Sequence, residues 1–196
     1  MPETTIRIEH STPKNLELVL LDRDGVLCHD SPNYIRSAAD WRSIDGSVEA
    51  IARLNQAGIR CALCTNQAGI GRGIFDFHAL ADIHQCMTAQ LDAAGARLEL
   101  IRYCPHHPDV GCGCRKPAAG LLEDCLTELV VPATNALFIG DSLSDMQAAQ
   151  RAGVQGALVN YAKTGRDSNA VERAAHKMGI TLVAANLASL VEVLLA

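Results

Sequence analysis

The sequence lacks the features that mark membrane, exported and nucleic-acid-binding proteins. Its 196 residues contain no apolar run long enough to span a bilayer. The segment "MPETTIRIEHSTPKN" has neither the basic nor the apolar region of a secretory signal, so we expect none. Basic residues form no cluster and the formal net charge is −5, which argues against nucleic acid or a membrane surface as partner. We expect a small-molecule partner, and the sequence leaves the oligomeric state open, with a monomer as one alternative.

Cysteine is not scarce, but its placement does not indicate a disulfide framework. Four of the eight cysteines lie in periodic apolar segments, as buried free thiols do: Cys61, Cys64, Cys86 and Cys125. Three others cluster with a histidine, an arrangement that is typical of metal ligands. We therefore expect a reducing location, the cytoplasm.

The order of predicted elements indicates an α/β fold. The sequence is 48% hydrophobic and 20% charged, which is ordinary for a globular enzyme, and its length favours one domain over residues 1–196. Strands are predicted at 17–22, 59–64, 98–103, 136–140, 156–160 and 181–184. Helices are predicted at 46–57, 75–95, 118–130, 144–152, 168–178 and 187–195. This alternation predicts a parallel sheet with helices on both faces.

Polar side chains stand where four of the predicted strands end. They are the pair Asp22 and Asp24, the pair Thr65 and Asn66, the segment after Tyr103, and Asp141. The carboxyl ends of parallel strands share one edge of a sheet, where ligands of open α/β folds bind. The sequence therefore predicts one site at this edge.

Two acids end the first strand, in "LVLLDRDG". Asp22 and Asp24 are two residues apart, so in extended backbone both side chains point the same way. Such a pair can supply a nucleophile and an acid/base for attack on phosphorus, and we assign these roles to Asp22 and Asp24 respectively. A solvated turn is the alternative, because D-x-D-G also occurs in ordinary loops.

The segment "IGDSLSDMQAA" adds two further acids. Asp141 follows a strand and Asp145 comes one helical turn later. With Asp22 they offer the oxygen ligands that suit Mg²⁺. Asp145 is either a direct ligand or a group behind the ligands, and capping of a helix by Asp141 or Ser142 is compatible with both.

Two further segments carry groups that suit phosphate. Thr65 and Asn66 in "CTNQAGIGRG" supply a hydroxyl and an amide beside several glycines, whose backbone N–H groups also suit an anion. Lys116 in "CRKP" is a cation for the phosphate and the nucleophile, and Arg115 precedes it. A plain turn and a solvated basic pair are the alternatives.

The segment "CPHHPDVGCGC" predicts a structural zinc site. It holds three thiols and one imidazole at the spacing C-x-H, five residues, C-x-C: Cys104, His106, Cys112 and Cys114. His107 is the alternative imidazole. A full set of four protein ligands leaves no position for water, so this zinc would stiffen the loop that carries Arg115 and Lys116.

These motifs, in this order, resemble the four signatures of the haloacid-dehalogenase-like (HAD-like) phosphohydrolases. The signatures are D-x-D-G-V, T-N, K-P and G-D-x-x-x-D, and they span residues 22–145. The 42 residues between Asp22 and Thr65 and the 50 between Thr65 and Lys116 are filled by predicted elements and the zinc loop. We therefore expect no inserted cap domain.

The resemblance implies a Rossmann-like fold, a magnesium ion and a phosphoenzyme. Mg²⁺ would be held by Asp22, the backbone carbonyl of Asp24, and Asp141. The phosphoryl group would pass to Asp22, and water activated by Asp24 would hydrolyse the aspartyl-phosphate. Thr65 and Lys116 would stabilise the phosphoryl group.

The zinc loop and "TNQAGIGRG" narrow the resemblance to the subgroup of heptose-bisphosphate and histidinol-phosphate phosphatases. "GIGRGIF" and "DMQAAQRAGV" look more like the heptose enzymes. We therefore expect removal of the 7-phosphate of D-glycero-D-manno-heptose 1,7-bisphosphate, in nucleotide-heptose synthesis for lipopolysaccharide. Histidinol-phosphate hydrolysis is the alternative. Residues expected at the substrate, from the loop "CHDSPNYIRS" and the family motifs, are Asp30, Asn33, Tyr34, Asn66, Gln67, Arg72 and Arg115.

Two hypotheses from other classes remain. A signalling receiver domain also holds an acyl phosphate with Asp, Thr and Lys at strand ends, but there the acidic pair precedes the phospho-accepting Asp. In this sequence the candidate nucleophile leads and Asp141 comes last. A zinc-stapled binding module without activity is the other hypothesis, and it is disfavoured because every acid and cation is present.

Overall fold

The computed structural model describes residues 13–160 and 167–196. Most of the amino-terminal segment in which we expect no secretory signal lies outside these ranges. The described strands are β1 (Leu18–Leu21), β2 (Arg60–Asn66), β3 (Leu100–Cys104), β4 (Ala136–Gly140), β5 (Gln155–Val159) and β6 (Leu182–Ala184). Each strand falls within about two residues of its predicted position.

The six strands form one parallel sheet in the order β3-β2-β1-β4-β5-β6. The chain runs outward from β1 to β3, then crosses back to β4 on the other side of β1. This change of direction opens a crevice between the carboxyl ends of β1 and β4, which is where doubly wound sheets bind ligands. The topology confirms the predicted Rossmann-like fold.

Seven helices connect or follow the described strands. They are α1 (Ser47–Gln56), α2 (Ala68–Gly71), α3 (Phe77–Ala93), α4 (Gly120–Leu129), α5 (Leu143–Arg151), α6 (Ser168–Lys177) and α7 (Leu187–Leu194). The segments between β1 and β2 and between β2 and β3 hold only α1, α2, α3 and a short 3₁₀ turn at Ala38–Asp40. The absence of an inserted cap domain in these two segments confirms the prediction.

Alternation along β1 sends its side chains into two cores. Val19 and Leu21 pack on the face covered by α1, α3 and α7, whereas Leu18 and Leu20 pack on the face covered by α4 and α5. All four are fully buried, as expected for a central strand of a parallel sheet. Burial on both faces explains why this segment is continuously apolar until Asp22.

Helix α2 was not predicted, because its sequence "AGIG" has two glycines and low helix propensity. Tertiary contact accounts for it. The Gly71 N–H donates to the Pro105 carbonyl at 2.9 Å, and a Cβ at Gly71 would lie 2.3 Å from the backbone nitrogen of His107. Glycine therefore lets α2 pack directly on the predicted zinc loop.

In the described part of the chain, every helix is too short or too polar to cross a bilayer.

Candidate active site

A cavity of about 260 Å³ lies at the carboxyl ends of β1, β2 and β4. It is lined by all five residues that the sequence predicts for catalysis and magnesium binding: Asp22, Asp24, Thr65, Lys116 and Asp141. The Asp22 N–H donates to the Ile139 carbonyl at 2.9 Å, which extends the β1–β4 pairing to the acid itself. The parallel sheet thus brings the strand-end residues together, as predicted.

Three buried carboxylates in this cavity surround one ammonium group. One oxygen from each of Asp22, Asp141 and Asp145 lies within 4.8 Å of the others, and these residues are 8%, 3% and 0% exposed. The Lys116 Nζ lies 2.9 Å from an oxygen of Asp22 and 2.8 Å from one of Asp145, and it donates to the Cys64 carbonyl at 2.9 Å. The cluster therefore carries more negative than positive charge.

Burial and neighbouring charges shift the pKa values of Asp22 and Lys116. Burial raises the pKa of Asp22 to about 7, with Asp145 and Asp141 adding to the rise and Lys116 opposing it. The pKa of Lys116 is also raised, because its two carboxylate partners outweigh its burial. A buried excess of carboxylate oxygens is the environment that a hard divalent cation stabilises, so these residues fit Mg²⁺.

Asp145 is engaged through both of its oxygens. Oδ2 accepts from the Asp141 and Ser142 N–H groups at 3.2 and 3.0 Å and from the Ser142 hydroxyl at 2.6 Å, which closes a capping box at the start of α5. Oδ1 faces the Lys116 ammonium. Asp145 therefore fixes the loop after β4 and orients Lys116. It has this role whether it binds the metal directly or lies behind the ligands.

Asp24 is held by Arg23, by Gln67 and by the thiol of Cys28, which donates to Oδ1 at 3.4 Å. The Arg23 guanidinium donates to both of its carboxylate oxygens at 3.0–3.1 Å, and the Gln67 amide donates to Oδ2 at 3.0 Å. Burial alone would raise the pKa of Asp24, but the charge of Arg23 and these hydrogen bonds together lower it.

Asn66 binds the backbone of Lys116 with its side chain. Its amide Nδ2 donates to the Lys116 carbonyl, and its Oδ1 accepts from the Lys116 N–H, both at 3.1 Å. This pair of bonds joins the end of β2 to the segment before α4. Although Asn66 lines the cavity, its amide group is directed to Lys116.

Replacing Asn66 with alanine is expected to lower both stability and turnover. The variant loses two hydrogen bonds, worth about 1–3 kcal/mol together, and releases the backbone that presents Lys116. Denaturant unfolding and kcat measure the two effects. Asn135→Ala is the control, because it also removes two side-chain hydrogen bonds, to Glu17 and from Thr134, but at the opposite end of the sheet. A raised KM with unchanged kcat would contradict this role and favour a direct contact with substrate.

The loop after β1 supplies one wall of the cavity. Asp30 and Tyr34 line it, together with Ser31 and Ile35, and Tyr34 has a positive φ of 64°. Asn33 lies instead on an adjoining cavity of about 580 Å³ that shares these residues. The predicted substrate loop thus borders both spaces.

The remaining predicted substrate residues divide into two pairs. Asn66 and Gln67 line the central cavity, whereas Arg72 and Arg115 do not. Arg72 is exposed at the end of α2, and Arg115 is half-buried directly before Lys116. A substrate that extends out of the cavity is required for contact with either arginine, and such contact stays a prediction.

The predicted zinc ligands form one cluster beside this site. The Sγ atoms of Cys104 and Cys114 each lie 3.5 Å from that of Cys112, and they lie 3.5 and 3.3 Å from the Nδ1 of His106. Tetrahedral zinc separates such ligand atoms by about 3.5–3.8 Å, so the cluster fits the ion. His107 pairs with Asp109 instead.

The segment 104–114, which contains the predicted zinc ligands, is packed between two elements that carry predicted catalytic residues. The Gln67 N–H donates to the carbonyl of the predicted ligand Cys104 at 2.8 Å. On the other side, the Gly120 N–H donates to the Gly113 carbonyl, and a Cβ at Gly120 would lie 2.5 Å from that oxygen. A fixed loop therefore supports both Gln67 and the start of α4.

Two residues near the site, Arg23 and His84, are absent from the sequence-based predictions. Arg23 is 1% exposed, and its charge is paired with Asp24. Burial, followed by the charge of Arg23, lowers the pKa of His84 to about 4. An arginine between two strand-end acids was the available signal for Arg23, since a buried charge requires a partner. The sequence gives no comparable signal for His84.

Comparisons with known proteins agree with this geometry. The HAD-hydrolase-like family model matches residues 113–190. D-glycero-beta-D-manno-heptose-1,7-bisphosphate 7-phosphatase from Pseudomonas aeruginosa is 44% identical over 149 residues, which cover 76% of this chain and 82% of that protein. The enzyme of the same name from Bordetella bronchiseptica is 40% identical over 180 residues, covering 92% and 98%.

Solved structures give the same result. D,D-heptose 1,7-bisphosphate phosphatase from B. bronchiseptica, complexed with magnesium and phosphate, superposes with a TM-score of 0.84 at 38% identity, covering 92% of this chain and 98% of that one. The corresponding phosphatase from Burkholderia thailandensis gives a TM-score of 0.70 at 30% identity, covering 92% and 99%. The predicted resemblance is thereby confirmed, and the chain belongs to the heptose-bisphosphate phosphatase family of HAD-like phosphoric monoester hydrolases.

Proposed function

We propose that this protein removes the 7-phosphate of D-glycero-β-D-manno-heptose 1,7-bisphosphate, a step of nucleotide-heptose synthesis. The observation that carries the proposal is the buried cluster of Asp22, Asp141, Asp145 and Lys116 at the carboxyl ends of β1 and β4. The names of the relatives support the substrate and its β anomer. The eight free cysteines support a reducing, cytoplasmic location.

The first chemical step transfers the phosphoryl group to Asp22. A carboxylate oxygen of Asp22 attacks phosphorus while the bond from phosphorus to the sugar oxygen breaks. Asp24 gives its proton to that oxygen, so the sugar leaves as an alcohol. The Lys116 ammonium, 2.9 Å from Asp22, offsets the negative charge of the incoming phosphate, and the buried Thr65 hydroxyl is a donor at the end of β2.

The second step hydrolyses the aspartyl-phosphate. Asp24, now a carboxylate, takes a proton from water as the water oxygen attacks phosphorus. The bond from phosphorus to the Asp22 oxygen breaks, which regenerates the Asp22 carboxylate and releases inorganic phosphate. Asp24 is left with this proton. Because Arg23 and the hydrogen bonds lower the pKa of Asp24 in the free protein, the negative charge of a bound phosphate is what keeps Asp24 protonated for the next transfer.

Asp22, the backbone carbonyl of Asp24, and Asp141 would hold Mg²⁺ in this site. When bound, the ion supplies positive charge that reduces repulsion between the phosphate and the nucleophile. Asp145 remains beside Lys116, to which it is paired. Asp22 would thus face both Mg²⁺ and Lys116, whereas Asp141 would bind the metal and Asp145 stays with Lys116.

The substrate is expected to extend from the cluster along the loop after β1. Asp30 and Tyr34 border the cavity that would hold the reacting phosphate, and Asn33 borders the adjoining one. Arg72 and Arg115 lie outside the central cavity, so they would contact parts of the substrate remote from phosphorus.

A phosphate-release assay tests the proposed substrate. The protein is expected to hydrolyse the β-anomer of the heptose bisphosphate in the presence of Mg²⁺, and to stop when EDTA is added. Its kcat/KM should exceed that for the α-anomer and for histidinol phosphate by about tenfold or more. A higher kcat/KM for histidinol phosphate would overturn the substrate. A phosphorylated form that is stable for minutes without turnover would favour a signalling domain.

We also propose that Cys104, His106, Cys112 and Cys114 hold a structural zinc ion. Cys112→Ser is expected to reduce the zinc content from about one ion per chain, to lower the melting temperature, and to weaken turnover indirectly. Elemental analysis, thermal unfolding and kcat measure these effects. Cys86→Ser, on α3 outside the cluster, is the control. Full stability of Cys112→Ser without zinc would contradict the proposal.

A further inference from the structure

We propose that Arg23 and Gln67, braced by His84, form a positioning unit that holds the Asp24 carboxylate in place for acid/base catalysis. This inference rests on the proposed function, because it gives Asp24 the proton-transfer role described above. Arg23 stands at the variable position of the D-x-D-G-V signature, and His84 lies outside all four signatures. Their placement around Asp24 is what identifies them.

Arg23 is a buried cation that is directed at Asp24. Its side chain is 1% exposed, and its Nε and Nη2 atoms reach the two oxygens of Asp24 at 3.0–3.1 Å. An arginine fork bound to a carboxylate fixes both the position and the plane of the carboxylate. The rotation of Asp24 about its side-chain bonds is therefore restrained.

Gln67 joins this pair to the phosphate-binding side of the cavity. Its Nε2 donates to Asp24 Oδ2 at 3.0 Å and to the Thr65 hydroxyl at 2.9 Å, while its Oε1 accepts from Arg23 Nη2 at 3.0 Å. The side chain is nearly fully buried. Its polar atoms thus contact three residues of the site, which makes Gln67 a bracket between them.

His84 supports the outer side of Arg23. Its Nε2 lies 3.5 Å from Arg23 Nη1, and its ring packs edge-on against Tyr103 with 5.8 Å between the ring centroids. These contacts come from α3 and β3. The Arg23 guanidinium therefore contacts three side chains: Gln67 directly after β2, His84 on α3, and the adjacent Asp24.

The arrangement matters because the leaving group of a sugar phosphate requires a proton. An alkoxide is a poor leaving group, so general-acid catalysis contributes strongly, typically about 10²–10⁴-fold. A nitrophenolate leaves without a proton and gains little from the acid. Loss of the positioning unit should therefore affect sugar phosphates more than p-nitrophenyl phosphate.

The test compares kcat/KM for these two substrates in Arg23→Lys and Gln67→Ala. Lysine at position 23 keeps the positive charge but loses the two-pronged guanidinium contact with the Asp24 carboxylate. Alanine at position 67 removes the amide that contacts Asp24 and Thr65. In both variants kcat/KM for the heptose bisphosphate is expected to fall about tenfold or more further than kcat/KM for p-nitrophenyl phosphate. Arg53→Lys, which alters an exposed arginine on α1 that pairs with Glu192, should change neither.

Equal losses for both substrates would overturn the inference, because disordered structure or lost phosphate binding affects both. Unchanged kinetics would also overturn it. If Arg23→Lys does not fold, Gln67→Ala and His84→Gln decide the outcome by the same ratio. If the wild type hydrolyses other sugar phosphates but not the heptose bisphosphate, the proposed substrate is wrong. The loss of kcat/KM is then compared between one of those sugar phosphates and p-nitrophenyl phosphate. If it hydrolyses no alkyl phosphate, both the proposed function and this inference fail.

Discussion

Replacing Asp22 with asparagine is expected to abolish phosphatase activity while the fold is retained. The amide has no anionic oxygen to attack phosphorus, so kcat should fall by at least ~10⁴-fold. Phosphate release under saturating substrate and Mg²⁺ measures the loss. Asp92→Asn on the exposed side of α3 is the control and should keep wild-type kcat.

The same substitution should not destabilise the metal-free protein at pH 8. The pKa of Asp22 is raised to about 7 in the folded state from an ordinary value of 3.8. Ionising this group therefore lowers the free energy of unfolding as the pH rises from about 4 to about 7, and the full penalty is present above pH 7. Asparagine removes that penalty, so thermal unfolding in EDTA should give an equal or higher melting temperature. A large decrease would contradict the description of the cluster.

Replacing Lys116 with methionine should produce the second largest effect, on activity and stability together. The variant leaves Asp22 and Asp145 buried without their cation, which costs about 3–5 kcal/mol in comparable buried pairs. Because the pKa of Lys116 is raised above its ordinary value of 10.5, the ammonium contributes in full at pH 7–8 and is lost only at higher pH. Activity should fall by about 10²–10³-fold, since a preorganised charge at the phosphate is removed.

Two measurements isolate the electrostatic cause of this effect. Mg²⁺ should raise the melting temperature of Lys116→Met more than that of the wild type, because the ion then meets a larger uncompensated charge. Lys177→Met at the exposed end of α6 should behave like the wild type. If Lys116→Met were as stable and active as the wild type, the ion pairs would not have the importance given to them here.

The strand-end residues could be predicted because a parallel sheet fixes their relation. Asp22 and Asp141 follow the neighbouring strands β1 and β4, and Thr65 lies one residue before the end of β2, on the other side of β1. A repeated strand–helix pattern is enough to place such residues at one edge. The fold class and the main cluster therefore follow from local patterns.

The roles of the amide side chains could not be predicted in this way. Asn66 ends β2 and Gln67 follows it, and the sequence suggests a phosphate contact for Asn66 and a substrate contact for Gln67. The structure directs Asn66 to the backbone of Lys116, 50 positions along the chain, and Gln67 to Asp24, 43 positions back. Such partners are set by tertiary packing, on which the local sequence carries no information.

The pairing of buried charges is the second feature that could not be predicted from the sequence. Arg23 and Asp145 sit within recognised motifs, but their pairing with Asp24 and Lys116 depends on which charges the fold excludes from water. The substrate contacts expected of Arg72 and Arg115 stay predictions. Both arginines lie outside the cavity that Asp22 lines, and the local sequence does not show how a substrate would reach them.

Trapping the phosphoenzyme tests the central claim most directly. Wild-type protein, mixed with substrate and Mg²⁺ and quenched with acid within a turnover, should carry one phosphoryl group on the peptide that contains Asp22. Fragmentation in the mass spectrometer should assign it to that residue, and Asp22→Asn should carry none. Rapid substrate consumption with no phosphoryl group on Asp22, or with the label on another residue, would contradict the account.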